Sequence, residues 1–104
     1  MIIQHAGNAL EIIPKLDLDF DLVFIDAEKS EYLDYLDVVL TKTTSGSIIL
    51  SDNVLWSGKV TEDVPDKDKA TRVLQQYNRI LKEDPRFETV MLPIRDGLSL
   101  SRVL

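Results

Sequence analysis

Two nearly unbroken apolar runs, "DLVFIDA" at 21–27 and "SIILSDNV" at 47–54, both run into acidic or amide side chains. Runs of this length without alternation read as parallel strands covered on both faces. Between them, "SEYLDYLDVVLTK" sets Tyr32, Leu33, Leu36, Val39 and Leu40 at helical spacing, with Ser30 as the N-cap and Lys42 in the last turn. Gly46 marks the exit into the second strand, and strand, helix, strand in that order implies a right-handed parallel crossover. Upstream, "IIQH" at 2–5 reads as a strand stub and "NALEIIPKL" as a short helical piece with Pro14 near its end. Downstream, "WSGKVTEDVP" at 56–65 has no periodicity and reads as a loop over the strand ends. In "DKDKATRVLQQYNRILKED" a stripe of Ala70, Val73, Leu74, Tyr77, Ile80 and Leu81 predicts a helix stopped at Asp84-Pro85. "FETVMLPI" and "LSLSRVL" flank "RDG", whose Asp96-Gly97 favours a tight turn between antiparallel strands.

Composition narrows what such a sheet can serve. A chain of 104 residues makes one domain, and 44% apolar with 29% charged residues is globular composition. A net charge of −6 argues against a nucleic-acid or anionic-membrane partner, since both need a basic face. With no cysteine, neither disulfides nor thiolate metal sites are available. No apolar run nears the roughly 18 residues of a membrane span, and "MIIQHAGNAL" lacks the flanks of a signal peptide, so a soluble cytoplasmic protein is expected.

In open α/β sheets, ligands bind beyond the carboxyl ends of the strands. Asp26 ends the first run and Asp52-Asn53 the second. If the strands are neighbours, about 4.8 Å apart, these three side chains can offer oxygen ligands at one point. Such hard donors suit magnesium, calcium or manganese. A single Asp after a strand is usually a turn or cap residue, and the repetition on two strands is what favours a cation site. Lys29, three residues after Asp26, is placed to share the pocket as a general base, although most isolated lysines are solvated surface charges. Trp56 is placed either in the core or as a wall of the site. His5 has no chemical partner nearby in sequence, and no phosphate loop or nucleophile elbow is present.

"FDLVFIDAEKSEYLDYL", "DNVLWSGKV" and "LPIRDGLSLSRVL" together resemble the cation-dependent O-methyltransferases of the caffeoyl-CoA and catechol O-methyltransferase type. The resemblance implies a doubly wound, Rossmann-like sheet with an antiparallel C-terminal hairpin, S-adenosylmethionine and a divalent cation as cofactors, and methylation of one hydroxyl of an aromatic vicinal diol. It implies Asp26, Asp52 and Asn53 as metal ligands and Lys29 as the base. It also implies contacts to the cofactor from Asn8, Ala9, Asp26, Ala27 and Glu28, and a substrate-lining Trp56. The match is to the second half of that family, so residues 1–104 are expected to be one domain, the C-terminal portion of the enzyme without the N-terminal cofactor-binding half. The Gly-rich cofactor loop and the ribose-binding acid of the family have no counterpart here. Alone, the chain is therefore expected to be inactive and to pair with a second copy through the edge of the 21–27 strand or the exposed faces of the sheet. The alternative is a non-enzymatic, self-associating module that keeps the metal ligands as relics.

Overall fold

A computed structural model describes residues 2–55 and 68–104. The two apolar runs form β1 (Phe20–Ile25) and β2 (Thr43–Asp52), joined through a 3-10 turn at Lys29–Glu31 and the helix α2 (Tyr32–Leu40). Before them come a four-residue helix, α1 (Ala9–Ile12), and a 3-10 turn holding Pro14. After them come α3 (Lys69–Glu83), β3 (Phe87–Leu92) and β4 (Leu98–Val103). β1 and β2 are parallel neighbours, and β4 pairs antiparallel with both β2 and β3, giving the order β1-β2-β4-β3. The expected mixed sheet with an antiparallel C-terminal pair is therefore present, with β1 on its edge.

Several sequence expectations are corrected. Residues 2–5 form no strand and are exposed, having no neighbour to complete a ladder. Ser30 is not the N-cap of α2: it lies within the 3-10 turn, and Glu31 occupies the cap position without a side-chain hydrogen bond. Lys42 falls beyond the end of α2, where its Nζ donates to the Leu16 carbonyl at 2.6 Å. Gly46 lies within β2 rather than before it. The pairing jumps from Phe20–Thr43 to Leu22–Ile48, so residues 44–47 bulge, and Gly46 takes φ 95°, which a side chain would resist. The loop expected at 56–65, including Trp56, lies outside the described residues.

Strand alternation sorts the sheet into two faces. Val23, Ile25, Ile49, Ser51, Ser99 and Ser101 point to the side carrying α2 and α3. There they meet a core of Tyr32, Leu36 and Val39 from α2 and Leu74, Tyr77 and Leu81 from α3. The serines are small enough to let α3 approach closely, and two of their hydroxyls are used: Ser51 with Tyr77, and Ser101 with Thr89, which in turn donates to the Leu81 carbonyl. The Ser99 hydroxyl is buried with no hydrogen-bond partner among the described residues. The rings of Tyr32 and Tyr77 meet edge to face at 5.3 Å, a contact favourable beyond its buried area. The stripe read along 70–81 is this buried face. Asp68 caps α3 by accepting from the Thr71 amide, and Asp84-Pro85 ends it. The opposite face carries Leu22, Phe24, Ile48, Leu50, Leu98 and Leu100. None of the described helices lies over it, and Leu22 and Phe24 are 61% and 57% exposed. Among the described residues, the expectation that β1 is covered on both faces thus holds on one face only. Among the described residues, no helix is long and apolar enough to cross a membrane.

Candidate active site

β1 and β2 run in the same direction with Ile25 opposite Ser51, so the residues that follow, Asp26 and Asp52, leave the sheet side by side. Asp26 is exposed, while Asp52 and Asn53 are half-buried. The chain turns sharply after Asp52: Asn53 adopts φ 55°, a left-handed conformation that asparagine tolerates better than most residues, and its amide donates to Asp52 Oδ1 at 2.9 Å. The β3–β4 connection closes over this corner. Val54 and Leu55 donate to the carbonyls of Gly97 and Asp96 at 3.3 and 2.9 Å, and Gly97, at φ 86°, lies so close to the Leu55 side chain that a Cβ would collide with it.

Lys29 reaches into this corner from the 3-10 turn and is only 6% exposed, unlike a solvated surface lysine. Its Nζ donates to the Asp52 carbonyl at 3.1 Å and to the Tyr32 hydroxyl, which itself donates to the same carbonyl at 2.7 Å. Burial lowers the pKa of the Lys29 ammonium from its ordinary value, and the negative charges of Asp26, Asp52 and Asp96 oppose that shift. Tyr32 is held neutral far up the pH scale, first by burial and then by the charge of Asp26. Asp96 was not singled out from sequence as a site residue. Its signal was the "RDG" turn, read for its backbone geometry and not for its carboxylate.

The expected cofactor contacts divide into two groups. Ala9, Asp26 and Ala27 line one cleft of about 250 Å³ on the helix side of β1, together with Ile13, Val23 and Tyr35. Asn8 and Glu28 do not line it. Asn8 is exposed and caps α1 by accepting from the Leu10 amide at 3.0 Å, and Glu28 is exposed at the start of the 3-10 turn. Among the described residues, no three His, Cys, Asp or Glu side chains form a metal cage. The candidate set has two carboxylates and one amide, all hard oxygen donors. That set fits a magnesium-like cation, which keeps several waters and uses few protein ligands.

A parallel pair with its polar groups at the carboxyl ends, on a sheet closed by an antiparallel hairpin, defines a Rossmann-like α/β fold of the methyltransferase kind. A family model described as O-methyltransferase matches residues 1–104, and the chain belongs to that family. It is 39% identical over 90 residues to the tapetum-specific methyltransferase 1 of Arabidopsis thaliana, covering 83% of this chain and 39% of that protein. It is 37% identical over 109 residues to caffeoyl-CoA O-methyltransferase 1 of Eucalyptus globulus, covering 94% and 44%. Among solved structures, the O-methyltransferase TomG of Streptomyces achromogenes in complex with SAM superposes with a TM-score of 0.85 at 27% identity, covering 97% of this chain and 49% of that one. The SAH-bound methyltransferase PaMTH1 of Podospora anserina gives a TM-score of 0.77 at 29% identity, covering 94% and 47%. The chain thus spans less than half the length of these relatives.

Proposed function

We propose that this chain carries the metal-binding and proton-accepting half of an S-adenosylmethionine-dependent O-methyltransferase acting on a catechol-like hydroxyl of an aromatic substrate. The observation that carries the reading is a buried lysine bonded to the Asp52 carbonyl, where two strands end side by side in Asp26 and Asp52-Asn53. Asp26, Asp52 and Asn53 would hold a divalent cation. When bound, the cation lowers the pKa of a phenolic hydroxyl from about 10, and S-adenosylmethionine supplies an electrophilic methyl group. Lys29 accepts the phenolic proton at Nζ; its burial favours the neutral amine that this role needs. The Asp52 carbonyl accepts from that amine, and orientation of a base accounts for much of the rate in methyl transfer. Ala9, Ala27 and Ile13 give the cleft beside β1 an apolar lining suited to a flat ring of the cofactor. Support for the acceptor class comes from the names of relatives, which include a flavonoid 3',5'-methyltransferase of Vitis vinifera at 40% identity.

The test has two parts. Calorimetric titration of the chain with magnesium, calcium and manganese should detect binding that Asp52→Ala removes; an unchanged affinity in that variant refutes the ligand assignment. A chimera placing residues 1–104 behind the N-terminal part of the Eucalyptus globulus enzyme should methylate caffeoyl-CoA, whereas the 104-residue chain alone should show no turnover. Activity that survives Lys29→Met refutes the base.

A further inference from the structure

Tyr32 follows Lys29 by three residues, and the 3-10 geometry between them stacks positions three apart; the Tyr32 amide closes the turn onto the Lys29 carbonyl. The two side chains therefore leave the backbone on the same side. Tyr32 is fully buried, with its ring against Tyr77. Its hydroxyl would be satisfied by the Asp52 carbonyl at 2.7 Å alone, yet it also accepts from Lys29 Nζ. A phenol can donate and accept at once, which neither phenylalanine nor a carbonyl can do. Lysine ends a flexible four-carbon stem whose ammonium otherwise samples many positions. As a neutral amine it has two N–H groups, and donation of these to Tyr32 and to the Asp52 carbonyl leaves the lone pair for a substrate proton.

We propose that Tyr32 is a positioning residue, whose hydroxyl holds Lys29 Nζ against the Asp52 carbonyl so that the amine and the strand-end oxygens keep one fixed relation. The proposal deepens the reading of Lys29 as the base and rests on it for its catalytic consequence. Tyr77→Phe is the matched control, because Tyr77 is an equally buried tyrosine of the same ring pair and its hydroxyl bonds Ser51, not Lys29.

The experiment is trace acetylation of the 104-residue chain with acetic anhydride at fixed pH, reading Lys29 against Lys15 and Lys82 by mass spectrometry. Tyr32→Phe should raise the relative labelling of Lys29 about tenfold, the size expected for losing one hydrogen bond to a charged group, and Tyr77→Phe should leave it unchanged. Equal labelling in wild type and Tyr32→Phe, or an equal rise in both variants, overturns the proposal. Should Tyr32→Phe fail to fold, Lys29→Met serves instead: the Tyr32 Cζ resonance must then shift, and an unmoved resonance overturns the clamp. In the chimera, Tyr32→Phe should lower kcat about tenfold with KM for the acceptor unchanged. A Lys29→Met chimera that keeps its activity overturns the base assignment and the catalytic part of this proposal, whereas the acetylation result tests the clamp separately.

Discussion

Across the helix-bearing face of the sheet, two rows read Val23, Ile49, Ser101, Thr89 and Ile25, Ser51, Ser99, Met91; across the opposite face they read Leu22, Ile48, Arg102, Glu88 and Phe24, Leu50, Leu100, Val90. The covered face is thus the more polar, and the face that no described helix covers is the more apolar. On the first, serines sit under α3 because small side chains leave room for Tyr77 and Leu74, and the hydroxyls of Ser51 and Ser101 find partners within the core. On the second, Phe24, Leu50, Leu100 and Val90 run as an unbroken apolar band from one edge of the sheet to the other, with the Arg102–Glu88 pair at its rim. A parallel strand pair such as β1–β2 ordinarily lies in a sheet with helices on both faces. The band has the composition of an interface, and among the described residues no strand pairs with the outer edge of β1 beside it.

If the faces differ as described, truncating each should have different consequences. Leu74→Ala, at a fully buried position, should cost about 2 to 5 kcal/mol in urea unfolding, because it leaves a cavity against the serine rows. Phe24→Ala, at a position 57% exposed in the single chain, should cost less than about 1 kcal/mol of that stability at concentrations low enough to keep the chain monomeric. Equal costs under those conditions would mean that the chain covers the band by itself.

Alkaline pH probes the covered face by itself. Burial pushes the Tyr77 hydroxyl up to about 12, against an ordinary value near 10, and Tyr32 is shifted in the same direction. Between those values the folded chain keeps protons that the unfolded chain has lost, so stability should fall as pH rises from about 10 toward 12. For Tyr77 the loss is on the order of 3 kcal/mol once pH passes 12. Lys29 works in the opposite direction: its pKa is lowered on folding, so the penalty of burying its charge is relieved as pH rises toward its ordinary value. Urea midpoints at pH 9 and pH 11.5 test the balance. The drop should shrink in Tyr77→Phe, and an undiminished drop would place the titrating groups elsewhere.

The covered face was the more legible in sequence. The helical stripes of α2 and α3 and the two apolar runs fixed element types, since a period of 3.6 or an unbroken run can be read locally. The pairing of Asp26 with Asp52 was legible because both follow strands joined by a single crossover. Ser30 was misread because a 3-10 turn precedes α2, Lys42 because its carbonyl accepts from the Phe20 amide at the start of β1, and Gly46 because β2 begins earlier and bulges; the last two depend on contacts distant in sequence, such as Ser47 Oγ donating to the Phe20 carbonyl at 2.8 Å. Tyr32 carried only a core signal, because a hydroxyl partner 20 residues away on another strand leaves no local mark. The openness of the second face could not be read from β1, since its apolar run looks the same whether or not anything covers it.

We propose that the open band drives self-association: a second copy offers a matching apolar surface, and two β1 edges related by a two-fold axis can pair antiparallel. The 104-residue chain is expected to sediment as a dimer or larger species at micromolar concentration. Phe24→Lys, which puts a charge on that edge, should weaken association about tenfold or more. A monomeric wild type with a cooperative unfolding transition would show that the chain shields the band by itself.

The smallest effect should come from the polar rim. Arg102 Nη2 and Glu88 Oε2 lie 3.3 Å apart across β4 and β3, with both side chains at least half exposed, 50% and 67%. An exposed pair of this kind contributes about 0 to 1 kcal/mol and is screened by salt, so Arg102→Ala should barely move the urea midpoint. Its effect on association separates two causes. If the apolar band drives pairing, association should persist or strengthen in 0.5 M ammonium sulfate, and Arg102→Ala should change it little. If instead the Arg102–Glu88 pair re-forms between copies, salt and Arg102→Ala should each dissociate the assembly, and the difference between the two faces would then lie in charge and not in apolar area.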